Sequence, residues 1–300
     1  MPNAALEVRT YGPQARPRVG FFTDTSLCIG CKACEVACKE WNRVPDDVAP
    51  WTGDSYDNTR ALGADTWRHV AFVEQKVPVG ADGAARSLMQ TAAAEGLAAE
   101  AGLDTYQEGD GLRWLMASDV CKHCTDAACL DVCPTGALFR TEFGTVVVQE
   151  DVCNGCGYCV PACPFGVLDQ REDDGRVWKC TLCYDRLRDD LEPACAQACP
   201  TNSIQFGELD ELRARAQARV ERLHAEGQED ARLYLADPDD DGIGGAGAFF
   251  LLLDEPEVYG LPPAPVATTR DLGSIWAATG AAALALGAGL AAAVLGGRRA

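Results

Sequence analysis

The chain has 300 residues, and its 26 Lys and Arg against 45 Asp and Glu give a formal net charge of −19. Such an acidic surface repels phosphate backbones, which argues against a nucleic-acid partner. Hydrophobic residues make up 47% of the chain, which is ordinary globular usage and argues against wholesale disorder. The unusual feature is 16 Cys beside only 3 His.

The first part of the chain holds one cysteine group and one predicted strand pair. Residues 1–20 contain no apolar run, so we expect no Sec signal on this chain. The segments TWRHVAFVEQ (66–75) and LRWLM (112–116) predict paired strands, and the Ala/Gly-rich stretch between them predicts a surface insertion. The cysteine group that precedes these strands consists of Cys28, Cys31, Cys34 and Cys38.

The middle of the chain alternates further cysteine groups with predicted hairpins. Residues 137–149 predict one hairpin and residues 167–178 a second, and we expect both to pack beside the cysteine groups and to shield them from water. The groups are Cys121, Cys124, Cys129 and Cys133; Cys153, Cys156, Cys159 and Cys163; and Cys180, Cys183, Cys195 and Cys199.

The segment after the last cysteine group predicts an amphipathic helix and an acidic loop. Residues 208–227 carry apolar side chains at helical spacing among many charges, and Gly227 ends the pattern. Asp237, Asp239 and Asp241 resemble the start of a calcium-binding loop. Position twelve of that loop is Ala248 where a bidentate Glu is needed, so we expect a solvated acidic loop.

The last predicted element is a membrane span. Residues 272–297 carry no charge. The length of this run exceeds the roughly 20 apolar residues that a spanning helix needs. Trp276 suits a membrane interface, and the small residues permit close packing against a partner helix. Arg298 and Arg299 follow the span and favour a cytoplasmic C-terminus. The alternative is an Ala-rich soluble helix.

The cysteine spacing indicates iron–sulfur clusters. In the third group, two residues separate each of the first three cysteines, three more precede Cys163, and Pro164 follows, which is the bacterial two-cluster ferredoxin pattern. The inner loops of groups two and four are longer, and group one has Lys39 in place of the proline. In this pattern three thiolates bind one [4Fe–4S] cluster and the fourth reaches the neighbouring cluster. Sixteen ligands therefore predict four [4Fe–4S] clusters.

The order of the groups predicts two nested units. Groups two and three form an inner ferredoxin-like unit, and groups one and four pair around it as an outer unit. We refer to the four predicted ligand sets as sets A to D, and to the clusters that they would hold as clusters A to D. The sets are set A, Cys28, Cys31, Cys34 and Cys199; set B, Cys38, Cys180, Cys183 and Cys195; set C, Cys121, Cys124, Cys129 and Cys163; and set D, Cys133, Cys153, Cys156 and Cys159.

Two other uses of cysteine fit the pattern less well. Disulfides would have to join cysteines only three positions apart or to pair the groups in an unknown order. Structural zinc favours two pairs of cysteines and not triplets followed by Cys-Pro.

His123 lies inside group two and is expected to donate a hydrogen bond near a cluster or to contact a partner. Lys39, Lys122 and Lys179 adjoin ligands, and we expect most of these lysines to be solvated.

The predicted fold class is α+β, with two nested ferredoxin-like [4Fe–4S] units built with short hairpins and helices, plus one C-terminal transmembrane helix. The predicted segments are 1–119, the first half of the outer unit with its insertion; 120–170, the inner unit; 171–207, the second half of the outer unit; 208–270, a helix and extension packing on a partner; and 271–297, the transmembrane helix.

Several motifs together resemble the beta subunit of membrane-bound formate dehydrogenases. They are CIGCKACEVACKEWN, CNGCGYCVPACPFGV, KCTLCYDR, EPACAQACPT and the ending EVYGLPPAP before a single span. The resemblance covers nearly the whole chain and implies a non-catalytic subunit of four [4Fe–4S] clusters. Such a subunit carries electrons from a molybdenum or tungsten catalytic alpha subunit toward a membrane cytochrome b gamma subunit and quinone.

The uncharged span and the two arginines after it predict an address in the cell membrane. We expect a single-pass chain with its cluster-binding part on the periplasmic or outer side, exported with a signal-bearing partner; a cytoplasmic-facing orientation is the alternative. Iron–sulfur subunits of other molybdopterin oxidoreductases, of the dimethyl sulfoxide, polysulfide or nitrate reductase type, are the alternative function. The residues themselves show no paired general acid and base, so the substrate follows from the resemblance alone.

Overall fold

The computed structural model describes residues 16–45, 56–57, 59–77, 111–239 and 241–296. The predicted insertion between the strands of the first pair lies outside the described residues over 78–110. The described strands are β1 (Val19–Asp24), β2 (Arg68–Val77), β3 (Gly111–Val120), β4 (Leu138–Arg140), β5 (Val146–Val148), β6 (Asp169–Gln170), β7 (Val177–Trp178), β8 (Ile204–Glu208), β9 (Arg232–Tyr234) and β10 (Ala248–Leu252). The described α-helices are α1 (Ala33–Asn42), α2 (Ala128–Asp131), α3 (Cys159–Ala162), α4 (Tyr184–Arg188), α5 (Ala194–Gln197), α6 (Leu209–Ala225) and α7 (Leu272–Gly296).

Three antiparallel strand pairs lie between successive cysteine groups along the chain. β2 and β3 pair antiparallel along ten residues each, and β3 ends at Val120, directly before the first cysteine of group two. The hairpins β4–β5 and β6–β7 lie within the predicted ranges 137–149 and 167–178. All three predicted strand pairs are therefore confirmed. Val146, Val167 and Val177 are buried in the same core as many of the cysteines.

A four-stranded sheet in the order β8-β1-β10-β9 was not predicted. β1 runs parallel to β10 and antiparallel to β8. Phe22 of β1 stacks on Phe249 of β10, with ring centroids 5.3 Å apart, and both side chains are fully buried. The sheet joins residues near the start of the described chain to β10, so part of the predicted 208–270 extension lies inside the protein's own core. The packing of that extension on a partner stays a prediction.

Helix α6 covers one face of this sheet. Leu209, Leu212, Ala216, Val220 and Leu223 form its buried stripe, as the helical spacing predicted. Gly227 follows with φ of +88°, and its N–H donates to the His224 carbonyl. The predicted helix and its glycine end are confirmed.

Helix α7 projects away from the rest of the described chain. Over Leu272–Ala293 its mean hydropathy is 1.6 and none of the window is buried. Within the described residues this is one helix long and apolar enough to cross a membrane. The mixed helix-and-strand class and the candidate C-terminal span agree with the predicted fold class, which is confirmed.

Candidate metal centres

Cluster A brings together cysteines from opposite ends of the cysteine-containing region. Cys28, Cys31, Cys34 and Cys199 line one cavity together with Val70 and Ile204. The first two of these cysteines lie on a loop that follows β1, and the third lies on α1. Because β1 pairs with β8, the loop before β8 carries Cys199 to the same place.

Helix α1 carries cysteines of two predicted sets one turn apart. Cys34 and Cys38 lie four residues apart, but the second lies within electrostatic reach of the cluster B cysteines Cys180, Cys183 and Cys195. The Asn42 amide nitrogen lies 3.7 Å from the sulfur of Cys38 and 3.7 Å from that of Cys183. The fourth cysteine of group one therefore lies beside cysteines of group four.

In sets C and D, too, the fourth cysteine comes from a different sequence group than the other three. Cys124 interacts electrostatically with Cys121, Cys129 and Cys163, the last of which comes from the next group along the chain. Cys159 interacts with Cys133, Cys153 and Cys156. The structure thus brings together the members of all four predicted sets, and their service as iron ligands stays a prediction.

The spacing of the sulfurs suits a polynuclear cluster. None of the sixteen cysteines, all of which are described, forms a disulfide. Among the described residues no three His, Cys, Asp or Glu side chains converge on a point as one metal ion requires. Zinc would draw each sulfur to about 2.3 Å from a single centre. The four cysteines of set A instead line a cavity, as expected when each binds a different iron of one cube.

Several of the buried thiols have raised pKa values and resist ionisation without a cation. Burial, followed by repulsion from neighbouring thiolates, raises the pKa of Cys180 to about 12. Burial also raises the pKa of Cys34 to about 11 and that of Cys183 to about 11. Because only thiolates bind metal, the arrangement is unfavourable unless cationic charge occupies the space between the sulfurs. Iron of a [4Fe–4S] cluster supplies that charge, so these residues fit the group.

Backbone amides and buried cations also face the sulfurs. The N–H of Leu182 donates to Cys180 at 3.3 Å. A guanidinium nitrogen of Arg68 lies 3.3 Å from the sulfur of Cys195, and the ammonium of Lys179 lies 3.6 Å from that of Cys121. Arg68 was missed in the sequence because an isolated arginine in a strand gives no signal of burial.

Two of the three lysines beside the ligands are buried, contrary to expectation, and Lys39 is partly buried. Lys122 and Lys179 are each 1% exposed. Lys122 forms an ion pair with Asp119, and Lys39 donates to the Asp65 carbonyl oxygen at 2.8 Å. The alkyl stems of Lys122 and Lys179 are enclosed by the core, and all three ammonium groups are held on specific oxygens or on sulfur.

His123 is buried and neutral. Burial and then the charges of Lys179 and Arg18 hold its pKa well below the usual range. Its Nδ1 accepts a hydrogen bond from the Val146 N–H at 3.1 Å, so the ring proton is on Nε2. Nε2 is buried without a partner among the described residues. The predicted role as a donor toward a cluster stays a prediction, and this geometry provides the free donor that it needs.

The acidic loop is not wholly solvated as expected. Asp237 and Asp239 are exposed, but Asp241 is buried. One oxygen of Asp241 accepts hydrogen bonds from the N–H groups of Ile243 and Gly245, both at 3.0 Å. The carboxylate therefore orders the turn that leads into β10.

Comparison with known proteins agrees with this geometry. A family model described as a 4Fe-4S dicluster domain matches residues 112–209, and one described as a 4Fe-4S binding domain matches residues 25–41. The chain is 38% identical over 263 residues to a formate dehydrogenase iron-sulfur subunit of Haemophilus influenzae, covering 85% of this chain and 73% of the relative. The chain thus belongs to the family of formate dehydrogenase iron–sulfur subunits.

Two further relatives place the chain within a wider group. The iron-sulfur subunit of the nitrate-inducible formate dehydrogenase of Escherichia coli is 38% identical over 274 residues, covering 90% of this chain and 79% of the relative. The B subunit of the anaerobic dimethyl sulfoxide reductase of the same organism is 36% identical over 200 residues, covering 65% of this chain and 75% of the relative. As a formate dehydrogenase iron–sulfur subunit by family, the chain carries [4Fe–4S]-binding domains and one candidate membrane helix.

Proposed function

We propose that this chain relays electrons through four [4Fe–4S] clusters, from a molybdenum- or tungsten-containing subunit that oxidises formate to a cytochrome b subunit in the membrane. The observation that carries the proposal is the gathering of sixteen cysteines into four sets of four, each with the fourth member taken from another group. When bound, the clusters supply one-electron redox chemistry. This chain's residues hold them at fixed spacing and exclude water.

Each ligand set belongs to one cluster under this proposal. Clusters A and B form the outer unit, from residues 1–119 and 171–207, and clusters C and D form the inner unit, from residues 120–170. The proposed iron ligands are the sixteen cysteines of sets A to D. No residue of this chain is assigned a catalytic role, because the proposed bond chemistry belongs to the catalytic partner.

Electrostatic interactions between cysteines of different sets support the series A, B, C, D. Cys34 of set A interacts electrostatically with Cys195 of set B. Cys180 of set B interacts with Cys121 of set C. Cys129 of set C interacts with Cys159 of set D. Each set therefore has a neighbour within reach for electron transfer.

Exposure supports A and D as the two ends of the series. Cys31 of set A and Cys156 of set D are exposed, and the other fourteen cysteines are buried or partly buried. Exposed apolar side chains accompany them, Ile29 beside the first and Tyr158 beside the second. We assign these two surfaces to the two partners, because electrons have to enter at one end and leave at the other.

The membrane helix begins beside the inner unit, which contains sets C and D, and D is the terminal set of that unit in the proposed series. The Thr268 hydroxyl donates to the Ala162 carbonyl oxygen at 3.1 Å, and the Thr269 hydroxyl donates to the Asp131 carboxylate at 2.6 Å. These bonds fix the start of α7 to the short helices that carry ligands of the inner unit. We therefore assign set D to the cytochrome partner and set A to the catalytic partner.

The substitution Cys159→Ala tests the relay in the assembled complex. It removes a proposed ligand of cluster D while leaving the catalytic partner unchanged. We expect formate oxidation with an artificial dye acceptor to persist and formate-dependent quinone reduction to be lost. Val160→Ala, on the same short helix, is the control and should retain both activities. Equal loss of dye and quinone reduction in Cys159→Ala would refute the relay role.

A second candidate function is the corresponding role in a dimethyl sulfoxide reductase, which the 36% identity to the B subunit of that enzyme favours. That relative matches 65% of this chain, against 85% for the Haemophilus influenzae relative. Assays of the complex that co-purifies with this chain decide the question. Formate oxidation supports the first function, and dimethyl sulfoxide reduction without formate oxidation supports the second.

We also propose that α7 anchors the chain in the cell membrane with its C-terminus in the cytoplasm. Arg298 and Arg299 favour this orientation because positive residues remain on the cytoplasmic side. The cluster-binding part is then on the outer side. Protease added to intact cells should cleave it after the outer permeability barrier is opened. Cleavage only after lysis of the inner membrane would support the cytoplasmic-facing alternative.

A further inference from the structure

Lys179 lies between sets B and C. Its ammonium donates to the Cys180 carbonyl oxygen of set B at 2.9 Å and lies 3.6 Å from the Cys121 sulfur of set C. A third contact is to the Val146 carbonyl oxygen. The side chain is 1% exposed, so solvent does not screen the charge.

Arg68 lies in the same manner between sets A and B. One guanidinium nitrogen is 3.3 Å from the Cys195 sulfur of set B, and the other donates to the Ser118 carbonyl oxygen at 3.1 Å. The Ser118 hydroxyl lies 3.2 Å from the Cys34 sulfur of set A. The guanidinium also covers the Phe21 ring at 4.7 Å from its centroid and is 2% exposed.

Neither cation pairs with a carboxylate in the part of the chain that the structure describes. Lys122 is the contrast, because its equally buried ammonium is neutralised by Asp119. A buried charge without a counter-charge is costly, so Lys179 and Arg68 need a negative group in their surroundings. The groups that they face are cysteine sulfurs of two sets each, which are thiolates when iron is bound.

We propose that Lys179 and Arg68 are shared counter-charges, each raising the reduction potential of the two clusters between which it lies. The inference rests on the proposed relay. A cluster held by four thiolates is anionic and becomes more so when it is reduced, so an unscreened cation nearby favours reduction. A cation placed between two clusters stabilises the transferred electron on either cluster, which favours electron transfer between them.

The test is a potentiometric titration of the assembled complex, followed by electron paramagnetic resonance. Replacing the cation by a neutral side chain in Lys179→Gln should reduce the equilibrium constant for one-electron reduction of two clusters by at least about tenfold, which is about 59 mV. Arg68→Gln should lower two potentials as well, and the two variants should share one affected cluster, namely B. Lys179→Arg keeps the charge and should retain the original potentials.

The matched control removes a buried ammonium together with its carboxylate. In Lys122→Met combined with Asp119→Asn the local net charge is unchanged, so all four potentials should stay constant. Unchanged potentials in Lys179→Gln and Arg68→Gln would overturn the proposal, and so would equal shifts in the control.

Iron content separates a failure of this inference from a failure of the relay. An unsubstituted complex without iron and sulfide would refute the relay itself. If Lys179→Gln loses iron while Lys179→Arg keeps about sixteen irons, the charge is needed and the proposal is supported. If both variants lose iron, side-chain shape is decisive and the proposal is overturned.

Discussion

The loop that carries Cys153 and Cys156 depends on a close approach at Gly155. This glycine has φ of +70°, and a Cβ there would overlap the carbonyl oxygen of Gly175 in the β6–β7 hairpin. The Gln170 amide donates to the carbonyl oxygens of both glycines and holds the loop against the hairpin. Gly155→Ala should therefore displace the ligands of cluster D.

Gly136 offers a matched control for this substitution. It follows Cys133, another cysteine of set D, and has φ of +69°, but a Cβ there would meet nothing within 4 Å. Alanine at either position costs about 1–2 kcal/mol for the left-handed backbone. Overpacking against the Gly175 carbonyl adds about 1–3 kcal/mol at position 155 alone. The two variants should therefore differ by about 1–3 kcal/mol, or roughly 5- to 150-fold in the population of the displaced loop.

Anaerobic iron analysis and electron paramagnetic resonance measure the consequence. Gly155→Ala should lose up to about four of sixteen irons, with the missing signal belonging to one cluster, and Gly136→Ala should retain nearly all of its iron. Iron release on heating should begin at a lower temperature in Gly155→Ala. Equal iron content and equal thermal behaviour in the two variants would show that the approach of the loop to the hairpin does not hold the ligands in place.

Three further predictions concern other parts of the molecule. Cys38→Ala should remove cluster B and spare cluster A, although its sequence neighbours belong to A; loss of A with retention of B, seen by electron paramagnetic resonance, would contradict the nested arrangement. Burial raises the pKa of Asp241, so its contribution to stability is greatest at low pH and is lost as the pH rises through that value. Asp241→Asn should therefore flatten the decline in thermal stability as the pH rises above about 4, and an unchanged slope would argue against it. Removal of α7 (Leu272–Gly296) should move the separately expressed chain from the membrane to the soluble fraction, whereas continued sedimentation with membranes would exclude the helix as the main anchor.

Local patterns in the sequence predicted the elements that local physics determines. The cysteine spacing grouped the sulfurs, β-branched runs around turns marked the hairpins, and the stripe from Leu209 to Leu223 marked α6. These features require only neighbours along the chain. The prediction of nested units required one further step. Groups two and three, which are adjacent in sequence, were paired first, and groups one and four were then paired with each other.

The central sheet depended on contacts between distant residues and was missed. The run AFFLL in β10 is apolar throughout and has no alternation, so its periodicity does not distinguish a buried strand from a short helix segment. Its parallel neighbour β1 pairs Phe22 with Phe249, more than 200 positions away. No local signal reports such a pairing.

The burial of the cations was missed for a related reason. Arg68 is the first residue of β2, and its contact with Ser118 exists because β2 pairs with β3 across the insertion. Charged residues are rarely buried unless they are paired, so the sequence alone favoured a solvated position. Only the packed arrangement of sets A, B and C shows that these cations face sulfur.

Iron and acid-labile sulfide in the anaerobically purified complex test the central claim most directly. Four sets of four cysteines predict about sixteen irons and sixteen sulfides on this chain, beyond those of its partners. Colourless protein that contains zinc and no inorganic sulfide would contradict the account.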